Sequence, residues 1–149
     1  MLKTVAVALA LLIPVSALAA EPYSVNLTEN QYIQYEIELK QFFSTPILAK
    51  NAGKYLRASN AERRAEGQMT CSLLTAFTTE KYLVTQFEIH RTQYGDDPQK
   101  LDDEIAYTLG VTAAAIDTMC TEHRAELMDF FANFKQITTA GTSSQNRKP

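Results

Sequence analysis

The sequence predicts an all-α protein, a single small bundle of five or six helices stapled by one disulfide. Three observations lead there. Beyond the first twenty residues, apolar side chains recur at spacings of three and four and nowhere alternate usefully with a period of two, which is the mark of helices with one buried face. Capping residues, prolines and glycines divide that pattern into segments of helical length. Two cysteines, Cys71 and Cys120, follow a segment that reads as an export signal, and an even pair in an oxidising compartment is read as one disulfide.

The export signal comes first in the chain. Lys3 supplies a short positive start, Val5 to Ile13 an apolar stretch of about nine residues, and Ser16-Ala17-Leu18-Ala19-Ala20 a run of small ones. Such a stretch is too short for the ~30 Å of a bilayer's hydrocarbon, and Ala17 and Ala19 suit a signal peptidase that cuts after Ala19 or Ala20. Residues 1–20 are therefore expected to be a cleaved signal peptide, 21–137 the helical domain and 138–149 a disordered tail rich in Ser, Thr, Asn and Gly. The expected location is periplasmic or secreted. No cysteine follows the cleavage region to carry a lipid, and no later segment is apolar enough to span, so no membrane attachment is expected after cleavage.

Thr28 and Gln31 form a capping box, and Tyr32, Tyr35, Leu39 and Phe42 place a helix over 29–43. Ser44-Thr45-Pro46 interrupts it, and proline in a first turn starts a second helix over 46–58. Ser59 and Glu62 form another box, opening a helix that carries Met69, Cys71, Ser72 and Ala76. Thr78 or Thr79 caps a helix over 80–94 with Leu83, Phe87 and His90 on one stripe, ended by Gly95. Asp96-Asp97-Pro98 begins a short helix in which Leu101, Ile105 and Leu109 face inward and Gly110 is the stop. Thr112 then caps the longest helix, 113–137, whose Ile116, Cys120, His123, Leu127, Phe130 and Phe134 repeat at +4 and +3.

Charge narrows the partner. The chain has 14 basic and 17 acidic residues and a net charge of −3, which argues against nucleic acid. Lys50, Lys54, Arg57, Arg63 and Arg64 make one region basic while residues 96–104 are acidic, either a solvated surface or two faces of a partner interface. The aromatic first helix is either deeply buried or a protein interface. Asn26-Leu27-Thr28 matches a glycosylation sequon, relevant only in a eukaryotic secretory pathway.

Chemical motifs are sparse. There is no Gly-x-Ser-x-Gly elbow, His-Glu-x-x-His pair, phosphate-binding glycine loop or Cys-x-x-Cys-His sequence. Asp96-Asp97 and Asp102-Asp103-Glu104 fall at a helix start, where the helix dipole accounts for them. Cys71, Cys120, His90 and His123 together hold the ligand types of a tetrahedral zinc centre, which leaves His90 and His123 as the metal candidates. Only Cys120 and His123 are suitably spaced, so a disulfide with ordinary histidines, His90 at a helix edge and His123 on the core stripe, is the preferred reading. The expectation is a non-enzymatic protein with no cofactor, whose partner is another protein.

Gln68-Met69-Thr70-Cys71 followed by Ala113-Ala114-Ala115-Ile116-Asp117-Thr118-Met119-Cys120-Thr121-Glu122-His123 resembles an uncharacterised group of small exported bacterial two-cysteine helical domains, with Thr121 where that group has proline. Met69-Thr70-Cys71 with Cys120 is also similar to the HdeA-type periplasmic acid-stress chaperones. That resemblance implies a protein that loosens in acid and exposes apolar stripes to clients while a disulfide limits the opening. The charge allows it: without Lys3 the mature chain carries about −4 at neutral pH, and with carboxylates protonated and both histidines charged it would carry about +15.

Overall fold

Helix starts written in the sequence recur in the computed structural model, which describes the backbone of residues 27–143 and the side chains of residues 27–133. The expected signal peptide, Asn26 of the sequon and the end of the expected tail, 144–149, lie outside the described residues, as does the side chain of Phe134. Seven helices and no strand occur among those described: α1 Glu29–Ser44, α2 Pro46–Ala49, α3 Gly53–Arg57, α4 Asn60–Leu74, α5 Thr79–Tyr94, α6 Pro98–Thr118 and, after a 3₁₀ turn at Thr121–His123, α7 Arg124–Ser143. The protein is a small all-α bundle. α7 continues six residues into the stretch expected as tail.

Local chemistry explains the starts. Thr28 and Ser59 each accept a hydrogen bond from the backbone N–H three residues on, and the side chains of Gln31 and Glu62 return the bond to the cap. Such reciprocal caps satisfy donors that a helix start leaves open. Thr78 accepts from the Lys81 N–H, and Asp97 accepts from the Lys100 N–H with Pro98 in the first turn.

Two expected boundaries are corrected. The helix expected over 46–58 is broken at residues 50–52 into α2 and α3. Gly110 does not stop a helix: α6 runs through it and through Thr112, whose hydroxyl donates to the Thr108 carbonyl at 2.7 Å rather than capping a new helix. Gly110 is needed for close approach instead. A Cβ there would lie 2.9 Å from ring carbons of both Phe42 and Phe43, so the missing side chain lets α1 settle on α6. Gly67 does the same on α4, where a Cβ would lie 2.9 Å from Cζ of Tyr35.

The real break falls at Cys120, whose φ of −132° and ψ of 63° leave the helix. Arg124 bridges it, with Nε donating to Asp117 Oδ1 at 3.0 Å and a terminal nitrogen to the Asp117 carbonyl at 2.7 Å. Cys120 is therefore at a joint and not within a long helix. Its sulfur is 2.06 Å from that of Cys71, with the Cα atoms 5.7 Å apart, so the bridge ties α4 to the junction of α6 and α7. Both cysteines are buried.

α6 is the axis of the bundle, packed by α1, α4 and α5. Val111, Ala114, Ala115 and Ile116 are buried along it, whereas Leu101, Ile105 and Leu109, expected to face inward, are only partly covered. A helix enclosed on most sides buries more than one stripe. α1 is both inside and outside: Tyr35, Leu39 and Phe43 are buried, and Ile33 and Ile37 one face over are exposed. Each fully buried large apolar side chain contributes about 1.5–3 kcal/mol, so these four-residue repeats do more for α1 than its intrinsic propensity.

Candidate functional site

Much of the basic region is consumed internally. Lys54 on α3 donates to Glu104 on α6 at 2.7 Å, Arg63 on α4 reaches Glu36 on α1 at 2.8 Å, and Arg64 reaches Glu29 at 3.4 Å. The basic and acidic segments thus meet each other within the fold at Lys54 and Glu104. Glu104 and Asp103 are buried, so they do more than complement the start of α6.

Lys54 also borders a cavity of about 90 Å³ between α4, α5 and α6. Its walls bring together Glu66 from α4, Tyr82 and His90 from α5, and Tyr107 from α6. His90 is not at a helix edge. It is buried, with Nε2 2.9 Å from the Thr108 hydroxyl, and burial lowers its pKa from the ordinary histidine value, so the ring is neutral at physiological pH. The Tyr82 hydroxyl lies 3.2 Å from that of Thr70. Burial, followed by the Glu66 carboxylate, raises the pKa of the Tyr107 hydroxyl, which therefore keeps its proton.

A second feature is apolar. Val84 and Phe87 of α5 and Phe130 of α7 line a groove of about 210 Å³ with Glu80, Glu88 and Arg91 at its rim. Val84 is 48% exposed, and the outer face of α5 continues the surface to Ile89, 41% exposed. The far wall stands because Glu126 of α7 accepts the Thr79 N–H at 2.8 Å and the Thr79 hydroxyl at 3.0 Å, capping the start of α5. Those bonds, led by the backbone one, hold the Glu126 carboxyl below its ordinary pKa.

The four zinc-type residues do not assemble. Cys71 and Cys120 are bonded to each other, His90 faces Thr108, and His123 sits in the 3₁₀ turn with Nδ1 3.7 Å from Glu126 and Nε2 3.9 Å from Glu122. Among the described residues no group of three or more His, Cys, Asp or Glu side chains is placed to hold a metal ion. Glu66, Tyr107 and Glu126 escaped the sequence reading. Their only signal was indirect, an acidic or phenolic residue in the middle of a strongly helical segment.

Among the described residues, fold and surface define a disulfide-stapled helical bundle with a polar cavity and an apolar groove. No family model matches the chain, and neither a curated protein nor a solved structure does.

Proposed function

We propose that this chain is an exported, non-enzymatic interaction module of the periplasm or cell envelope that docks a protein partner in the groove between α5 and α7. The observation that supports this reading is the apolar wall of Val84, Phe87 and Phe130, open to solvent at Val84 and continuous with Ile89. Contiguous exposed apolar surface with a polar rim is the usual form of a protein-binding site. Glu80 and Glu88 outnumber Arg91 at the rim, and Arg91 is engaged by Glu88. The partner segment that fits is an apolar anchor followed by a lysine or arginine. No described helix is long and apolar enough to cross a membrane.

The test is capture from the native envelope by immobilised mature protein, wild type against Val84→Glu. A partner held by the wild type and lost by the variant, with the melting temperature unchanged, supports groove docking; retention of the same partner by both overturns it. Intact mass of the natural protein tests export. A start at Ala20 or Glu21 is expected, and a start at Met1 sinks the exported assignment.

A second reading, an acid-activated chaperone of the HdeA type, is favoured by the Glu126 cap and by His90. Acid would protonate the cap that holds α7 to α5 and charge a buried ring, uncovering Leu127 and Phe87. Light scattering of an aggregating client at about pH 3 decides it. Suppression only as the fold loosens supports the reading, and no suppression with the fold unchanged removes it.

A further inference from the structure

Three buried polar atoms in the cavity between α4, α5 and α6 have no hydrogen-bond partner: Glu66 Oε2, His90 Nδ1 and the Tyr107 hydroxyl. Tyr107 is 2% exposed and His90 8%. An unmade buried hydrogen bond costs about 1–3 kcal/mol, more at a charged group, so three around one space call for a guest with hydrogen-bonding groups. The Glu66 carboxylate faces the Tyr107 hydroxyl closely enough to raise its pKa, so one guest group can reach both.

The charge of the walls selects the guest. Lys54 is paired with Glu104 at 2.7 Å and burial lowers the pKa of His90, so the Glu66 carboxylate is the acidic group of the cavity wall. An ionised carboxylate only accepts hydrogen bonds, and the Tyr82 and Tyr107 side chains stand beside it. Aromatic faces attract ammonium groups, and the Lys54 ammonium already lies 4.7 Å from the Tyr107 ring centroid. About 90 Å³ has room for a few waters or for a ligand of few heavy atoms.

We infer that this cavity is a binding site for a small molecule bearing one protonated amine, with the ammonium on Glu66 Oε2 and the Tyr107 hydroxyl beside it. The site is separate from the α5–α7 groove and stands or falls independently of partner docking.

The probe is ethylammonium chloride, titrated at pH 7 into the oxidised mature protein at constant ionic strength and followed by amide NMR, with ethanol and acetate as neutral and anionic controls. Saturable shifts confined to residues around Glu66, His90 and Tyr107, absent with both controls, are expected. Glu66→Gln should weaken binding about tenfold or more, the usual effect of losing a charged hydrogen-bond partner. Tyr107→Phe keeps the ring and removes the hydroxyl, so it tests the site even where Glu66→Gln does not fold, and it should weaken binding several-fold. No saturable shift, an equal response to ethanol or acetate, or unchanged affinity in a folded variant would each overturn the inference, leaving ordered water as the occupant.

Discussion

Glu126→Gln isolates the attachment of α7. In the wild type a single carboxylate oxygen of Glu126 takes both the N–H and the hydroxyl of Thr79, at 2.8 and 3.0 Å, at the positive end of α5. Hydrogen bonds to charged groups are worth about 1.5–3 kcal/mol, but the Glu126 side chain is 44% exposed, and solvent screening brings the expected loss down to about 1 kcal/mol. For a domain of this size that is a fall in melting temperature of about 4 °C. The sign with pH follows from the folded carboxyl lying below its ordinary value. The unfolded chain then binds the proton more readily, so the stabilisation is complete above the ordinary carboxyl value of about 4.3 and disappears as pH falls through the folded value. Urea unfolding followed by circular dichroism, repeated from pH 7 to pH 3, should show wild type and variant separated at neutral pH and converging in acid. A gap that persists unchanged at pH 3, or no gap at pH 7, would refute the charged cap.

His90 gives a second pH dependence: its folded pKa is depressed by burial, so its share of stability is full above about pH 6.5 and is lost as pH falls towards the folded value. His90→Gln should flatten the stability profile just below pH 6.5, and an unchanged slope in urea titrations would show that the ring is not kept neutral by burial. Gly110→Ala should destabilise by about 1 kcal/mol in calorimetry, because crowding Phe42 and Phe43 costs about 1–3 kcal/mol against a helix-propensity gain of about 1; a stabilised variant would disprove the close approach. Replacing both Cys71 and Cys120 by alanine should cost up to about 4 kcal/mol for a closed loop spanning 49 positions, measured by urea unfolding.

What was legible in the sequence was local. Thr28 with Gln31, Ser59 with Glu62 and Asp97 with Pro98 act within one turn, so their chemistry is visible without knowing what lies across the fold. The cysteine pair was legible because there were only two. Gly110 misled because a glycine before valine and a capping threonine looks like a helix end, while its true reason is two rings contributed by α1, far away in the chain. The cavity was illegible for the same cause: Lys54, Glu66, His90 and Tyr107 come from four helices, and nothing within any one segment points to the others. Polar residues at Glu104 and Thr108 beside small Ala106 were the available sign that α6 is enclosed on several sides and holds polar groups within.

The position of the Cys71–Cys120 bridge also sets how the molecule would respond to mechanical load. A pull on the end of α7 would peel Arg124–Ser143 and the turn before it, and the force would then reach Cys120 and pass across the sulfurs into α4. The residues between the cysteines, including all of α5 and α6, would carry no tension while the bond is intact. In a force-extension trace the 121–143 segment would give one early release of at most about 80 Å, and the axis helix would lengthen only in reducing buffer.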